Sequence, residues 1–148
     1  MSVIAWDGMT LAADKRIING GIAKTCTKIF RHEKELLGIT GDWDVGAELR
    51  EWYKAGADPQ AFPAEARTDG GRAGLSVFDG KTVRVYSTGP FPLVVEDKHF
   101  AAGSGRDFAY AAMYLGRGAV EAVRVASVFQ TDCGSGYDLL TLHGDDHG

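Results

Sequence analysis

Cysteine is scarce in this 148-residue chain: Cys26 and Cys133 are its two, and no CxxC pair occurs. Two thiols so far apart in sequence set out neither a disulfide framework nor a cysteine-rich zinc site, so a reduced, cytoplasmic setting is expected. Long apolar runs are missing, so no membrane-spanning helix is expected, and the first residues lack the basic and apolar segments of a secretory leader. Positive charge is not in excess either. The formal net charge is −4 at pH 7, which argues against nucleic acid as the main partner, because phosphate binding needs a basic face. Neither a P-loop nor a GxGxxG is present, so no nucleotide cofactor is expected. Of the four histidines (His32, His99, His143, His147), only those of the terminal "HGDDHG" have metal-like spacing. That segment reads as a solvated tail, so no metal is expected.

What is present is glycine, at 20 residues, and short alternating segments. Val3–Trp6 and Met9–Ala13 read as two strands joined at Asp7-Gly8, a pair that suits a tight type I′ hairpin. Further strands are expected at Thr25–Arg31, Glu35–Thr40, Gly74–Phe78, Thr82–Tyr86, Leu93–Val95, Phe100–Ala102 and Asp138–Leu142. Asp42 is the expected N-cap of a helix reaching about Gly56, with Val45, Leu49, Trp52 and Tyr53 on one face. Two more helices are expected, from Arg106 to about Leu115 and from Ala119 to Phe129. Hairpins dominate and βαβ alternation is absent, which favours antiparallel sheets with segregated helices in one domain spanning residues 1–148.

Five segments, in order, resemble one family. "LAAD" ends at Asp14, "TKIF" carries Lys28, "LLGITGD" contains Gly38, "AAGSGRDFAYAAMYL" contains Ser104, and "DCGSG" supplies Asp132 and Ser135. Together they resemble the proteasome β-subunits, particularly the bacterial HslV type, among the N-terminal nucleophile hydrolases. The resemblance runs from Ser2 to about Leu142. It implies an α+β fold, a four-layer αββα sandwich of two antiparallel sheets. It also implies a peptidase subunit acting on polypeptides inside a homo-oligomeric ring, often with an unfoldase ATPase as partner. Ser2 stands where the family usually carries threonine.

The chemistry behind that resemblance is specific. A hydroxyl needs a base, and the N-terminal-nucleophile solution uses the chain's own α-amine, whose reference pKa is about 7.7–8.0. Ser2 qualifies once the Met1–Ser2 bond is cut. By the resemblance, Lys28 places a cation near the nucleophile, Asp14 holds Lys28, and Gly38 donates a backbone N–H to the oxyanion. Ser104, Asp132 and Ser135 form a polar shell around the amine. The same residues have plainer readings: Asp14 as a strand end, Gly38 as a packing position, Ser104 as a helix cap, and Asp132 and Ser135 as loop formers. Two other functions therefore stay open, a catalytically inactive ring or scaffold protein and an amidohydrolase acting on a small amide.

Overall fold

The structure is a computed structural model, described here for residues 2–143; the histidine-containing tail expected to be solvated lies, from residue 144 on, outside the described residues. Strands β1 (Ile4–Trp6), β2 (Thr10–Asp14), β3 (Arg16–Asn19), β4 (Ile22–Thr25), β5 (Ile29–His32) and β6 (Glu35–Gly41) precede the first helix, α1 (Trp43–Lys54). A short 3₁₀ turn (Pro59–Ala61) and α2 (Ala64–Thr68) lead to β7 (Ala73–Phe78), β8 (Val83–Tyr86), β9 (Leu93–Val95) and β10 (Phe100–Ala102). Helices α3 (Arg106–Tyr114) and α4 (Ala119–Phe129) precede the last strand, β11 (Tyr137–Thr141).

Two antiparallel sheets face each other, one ordered β10-β1-β2-β11 and the other β5-β6-β7-β8-β9. The period-2 alternation of side chains builds the layers. Ile4, Trp6, Leu11 and Ala13 point inward to meet Ile29, Leu36, Phe78, Val83 and Phe100 between the sheets. Val3, Ala5 and Ala12 point the other way, onto Ala109, Met113, Ala122 and Ala126 of α3 and α4. Leu37, Ile39, Leu75 and Val77 turn outward onto Leu49 and Trp52 of α1 and Ala66 of α2. The result is the expected four-layer αββα sandwich. Small residues dominate the α3–α4 contact, so those helices sit close to the sheet. Each fully buried Leu, Ile or Phe contributes about 1.5–3 kcal/mol.

Two local expectations change. Thr25–Arg31 is not one strand: β4 ends at Thr25 and β5 begins at Ile29. The break arises because the Cys26 N–H donates to Lys15 O (2.8 Å) while Lys28 O accepts from Ile39 N (2.9 Å), so the chain crosses from one sheet to the other. The first hairpin is not a type I′ turn either. Its connection is Asp7-Gly8-Met9, with positive φ at Gly8 alone (98°). Asp7 makes it an Asx-type turn: its Oδ1 accepts from Met9 N (2.9 Å) and Thr10 N (2.8 Å). Its Oδ2 accepts from Ala119 N (3.0 Å). Asp7 thereby caps α4, whose own N-cap residue, Gly118, has no side chain to do so.

Candidate active site

Asp14 is the hub of the site. It ends β2 fully buried, and all of its acceptor capacity is used. Oδ1 accepts from Val3 N (3.0 Å) and Lys28 Nζ (2.8 Å). Oδ2 accepts from Arg16 N (3.2 Å) and Gly134 N (3.0 Å). Lys28, also buried, donates in addition to Arg16 O (2.5 Å). Four chain segments therefore converge on one carboxylate. A buried ion pair is tolerable only when saturated in this way.

Ser2 lies at the open end of β1, 3% exposed. Its N–H donates to Ser104 Oγ (3.1 Å), and Ser104 Oγ donates to Asp132 Oδ1 (3.0 Å). Burial works against the Asp132 charge, but hydrogen bonds from the Gln130 side chain and the Ser104 hydroxyl outweigh it and hold the carboxyl below its ordinary range. Ser2 O accepts from Gly105 N (3.1 Å). The Ser2 hydroxyl, by contrast, has no hydrogen-bond partner among the described residues although its oxygen is buried. A buried polar atom left so costs about 1–3 kcal/mol.

Ser2 lines a cavity of about 650 Å³, lined also by Ile17 and Ile18 of β3, Cys26, Lys28, Ile39 and Trp43. Asn19, Gly41, Asp42, Asp44 and Arg72 line it as well. Asp42 caps α1 through Asp44 N (3.1 Å), as expected. Cys26 is a half-buried thiol on the wall whose pKa is raised by burial. Cys133 is buried against Ser104, and burial together with the charge of Asp14 pushes its thiol up to about 11. Among the described residues, no group of three or more His, Cys, Asp or Glu is placed to hold a metal.

Ser2, Asp14, Lys28, Ser104 and Asp132 thus come together from distant parts of the chain. Gly38 and Ser135 do not join them. Gly38 sits within β6, opposite Ile29 on one side and Ser76 on the other. Because Ile39 N faces Lys28 O, strand alternation turns the Gly38 N–H to the opposite side, into the ladder with β7. Its missing side chain makes room for Ile4: a Cβ there would lie 2.9 Å from Ile4 Cδ1. Ser135 adopts a left-handed backbone (φ 62°) and accepts from Arg16 Nε (3.2 Å), so its hydroxyl serves the Arg16 contact instead of the Ser2 nitrogen.

Two glycines missed as site residues do reach the site. The alternation that removes Gly38 points the Gly41 N–H toward the side of β6 left open by the departure of Cys26, where Gly41 lines the cavity. Gly103 (φ 96°) packs on Ser2 itself: a Cβ there would be 2.2 Å from Ser2 O and 3.0 Å from Ser2 Oγ. Both signals are in the sequence, as a glycine before a helix-capping Asp and as the first glycine of GSG.

No protein-family model matches the chain. A curated relative does: proteasome subunit beta 2 of Pyrococcus abyssi (strain GE5 / Orsay) is 34% identical over an alignment of 137 residues. The match covers 76% of this chain and 65% of the relative. The chain is a relative of the proteasome β-subunits. It spans just under two thirds of the length of that relative. Solved structures share the fold. HslV from Trypanosoma brucei superposes with a TM-score of 0.69 at 21% identity, covering 94% of this chain and 97% of that one. Thiobacillus denitrificans BPH, solved in complex with epoxomicin, gives 0.71 at 20% identity, covering 97% and 100%.

Proposed function

We propose that the chain is a peptidase subunit whose nucleophile is the Ser2 hydroxyl, activated by the Ser2 α-amine once the bond preceding Ser2 is cut. The observation that carries this reading is Ser2: its hydroxyl is buried and has no partner among the described residues, and the residue lines a cavity large enough for a substrate residue, together with a buried lysine. A structural serine has no reason to forgo its hydrogen bond.

The steps follow from the surroundings. A neutral amine on Ser2, near its reference pKa of about 7.7–8.0, takes the hydroxyl proton. It keeps the hydrogen bond to Ser104 Oγ, which relays to the Asp132 carboxylate. Lys28 favours the developing alkoxide by its charge and is held in place by Asp14. The oxygen attacks the scissile carbonyl, and the Gly41 N–H takes the role expected of Gly38 at the oxyanion; one such donor contributes roughly 3–4 kcal/mol. The C–N bond breaks as the departing amine takes the proton. Water then hydrolyses the acyl ester, with the α-amine again as base. The active unit is a closed, cytoplasmic homo-oligomeric ring with the site inside, a contact geometry that closes on itself, fed polypeptides by an unfoldase ATPase.

Intact mass, native mass and peptide hydrolysis test this together. The expected result is a mass starting at Ser2, a large symmetric assembly, and turnover of unfolded peptides that disappears in Ser2→Ala. Hydrolysis of a small amide by an isolated subunit, or unchanged turnover in Ser2→Ala, would overturn it.

A further inference from the structure

A second recess lies beside Gly103, the glycine packed on Ser2. A cleft of about 320 Å³ is bounded by Gly71, Arg72, Gly74, Ser87, Gly103 and Arg106, and Ser104 opens onto it. It shares Gly41 and Arg72 with the larger cavity. Its Gly103 wall is the one in contact with Ser2, where an added Cβ would sit 3.0 Å from the hydroxyl oxygen. Ser2 thus lines the larger recess, while Gly103, packed on Ser2, and Ser104, bonded to its nitrogen, line the smaller.

The two recesses differ in charge. The larger carries Asp42 and Asp44 with Arg72 and the Asp14-paired Lys28. The smaller carries Arg72 and Arg106, both exposed, and among the described residues no acidic one lines it. The nearest carboxylates are committed elsewhere. Asp69 accepts from Gly71 N (2.8 Å) and Ala73 N (3.1 Å). Asp132 is held by Ser104, and Asp107 is only a loose neighbour of Arg106 Nε at 3.9 Å. Both guanidinium groups are tethered by one nitrogen, Arg72 Nε to Asp69 O (2.8 Å) and Arg106 Nη1 to Gly103 O (3.2 Å). The positive end of α3 begins at Arg106 and adds the same sign. Glycines at Gly71, Gly74 and Gly103 leave backbone but little side chain in the walls, so the cleft accepts a main chain closely.

We infer that this cleft receives the departing, amine side of the cleaved bond and selects an acidic residue there, held by Arg72 and Arg106. The inference rests on the peptidase reading for its chemistry: the Ser2 oxygen bonds to the acyl carbon, the C–N bond breaks, and the fragment leaving with its new amine is the one in this cleft. It also explains why Ser104, bonded to the Ser2 nitrogen, faces the cleft and not the larger cavity.

The test uses the full chain carrying the Ser2 terminus. Peptides identical on the acyl side are compared with Glu or Lys as the first residue after the cleaved bond. The expected preference for Glu in kcat/KM is about fivefold to tenfold, the size of two solvent-facing ion pairs, and it shrinks as salt is raised. Arg106→Gln reduces the ratio and Arg106→Glu inverts it, with unfolding midpoints checking that each variant is folded. A ratio near one, or one that ignores Arg106, overturns the inference while leaving the peptidase reading intact. If no peptide is cleaved, that reading fails, and binding of the short amine-side fragments to the same proteins still decides the cleft. Tighter binding of the Glu fragment that Arg106→Glu reverses supports the inference, and equal binding of both fragments overturns it.

Discussion

Two buried polar groups a few residues from each other's partners are treated in opposite ways. Asp14 accepts four hydrogen bonds and neutralises Lys28. The Ser2 hydroxyl, equally shielded, has no partner among the described residues. The carboxylate binds together the start of β1, the Lys28 segment, the β2–β3 junction and the loop before β11, so it is a structural keystone that also fixes the lysine. The hydroxyl is a local instability that the rest of the fold supports. The contrast sets the group that builds the site apart from the one proposed to act in it, and stability and activity should divide along that line.

The largest expected effect comes from breaking the saturated group. Asp14→Ala leaves Lys28 charged and buried without its carboxylate, and should cost about 3–5 kcal/mol in urea unfolding while abolishing peptide hydrolysis. A loss below 1 kcal/mol would remove Asp14 from its structural role. Gly103→Ala comes next. The added methyl meets Ser2 O and occupies a left-handed backbone position, so roughly 1–3 kcal/mol should be lost, with turnover falling further than stability because Ser2 is displaced.

The sharpest contrast is Ser2→Ala. Hydrolysis should drop to background, yet stability should hold or rise by up to about 1 kcal/mol, because a buried hydroxyl without a partner is removed. A clear loss of stability would mean that the hydroxyl is bonded in solution and belongs with Asp14 on the structural side.

The smallest effect lies far from the site. Asp7→Ala removes the cap of α4 and should cost about 1 kcal/mol with little change in turnover. Burial disfavours the Asp7 charge, but hydrogen bonds from the Ala119, Thr10 and Met9 N–H groups outweigh it and lower its pKa. The contribution is therefore complete above the unfolded value near pH 4 and is lost as the pH falls through the lower folded value. Stability curves of wild type and Asp7→Ala should converge at the acid end.

Most strands and the three longer helices were legible because alternation and helical spacing depend on neighbours in sequence. Ser2, Asp14, Lys28, Ser104 and Asp132 were legible through their order and motifs, and the fold brings all five together. Gly38 was misread for a reason of parity. A motif marks a strand glycine, but the side to which its N–H points depends on register, and a step of one residue reverses it. Ser135 was misread because a left-handed backbone redirects its hydroxyl to Arg16, a partner 119 positions away. Asp7 looked like turn chemistry alone, since its reach to Ala119 exists only once α4 lies against the first hairpin.

The central claim is that Ser2 becomes the nucleophile when its nitrogen becomes an amine. The direct measurement is peptide hydrolysis by two preparations of the same chain, one whose intact mass begins at Ser2 and one in which the preceding residue is retained. Hydrolysis confined to the first, and absent when it carries Ser2→Ala, is the predicted result. Equal hydrolysis by both preparations would contradict the account.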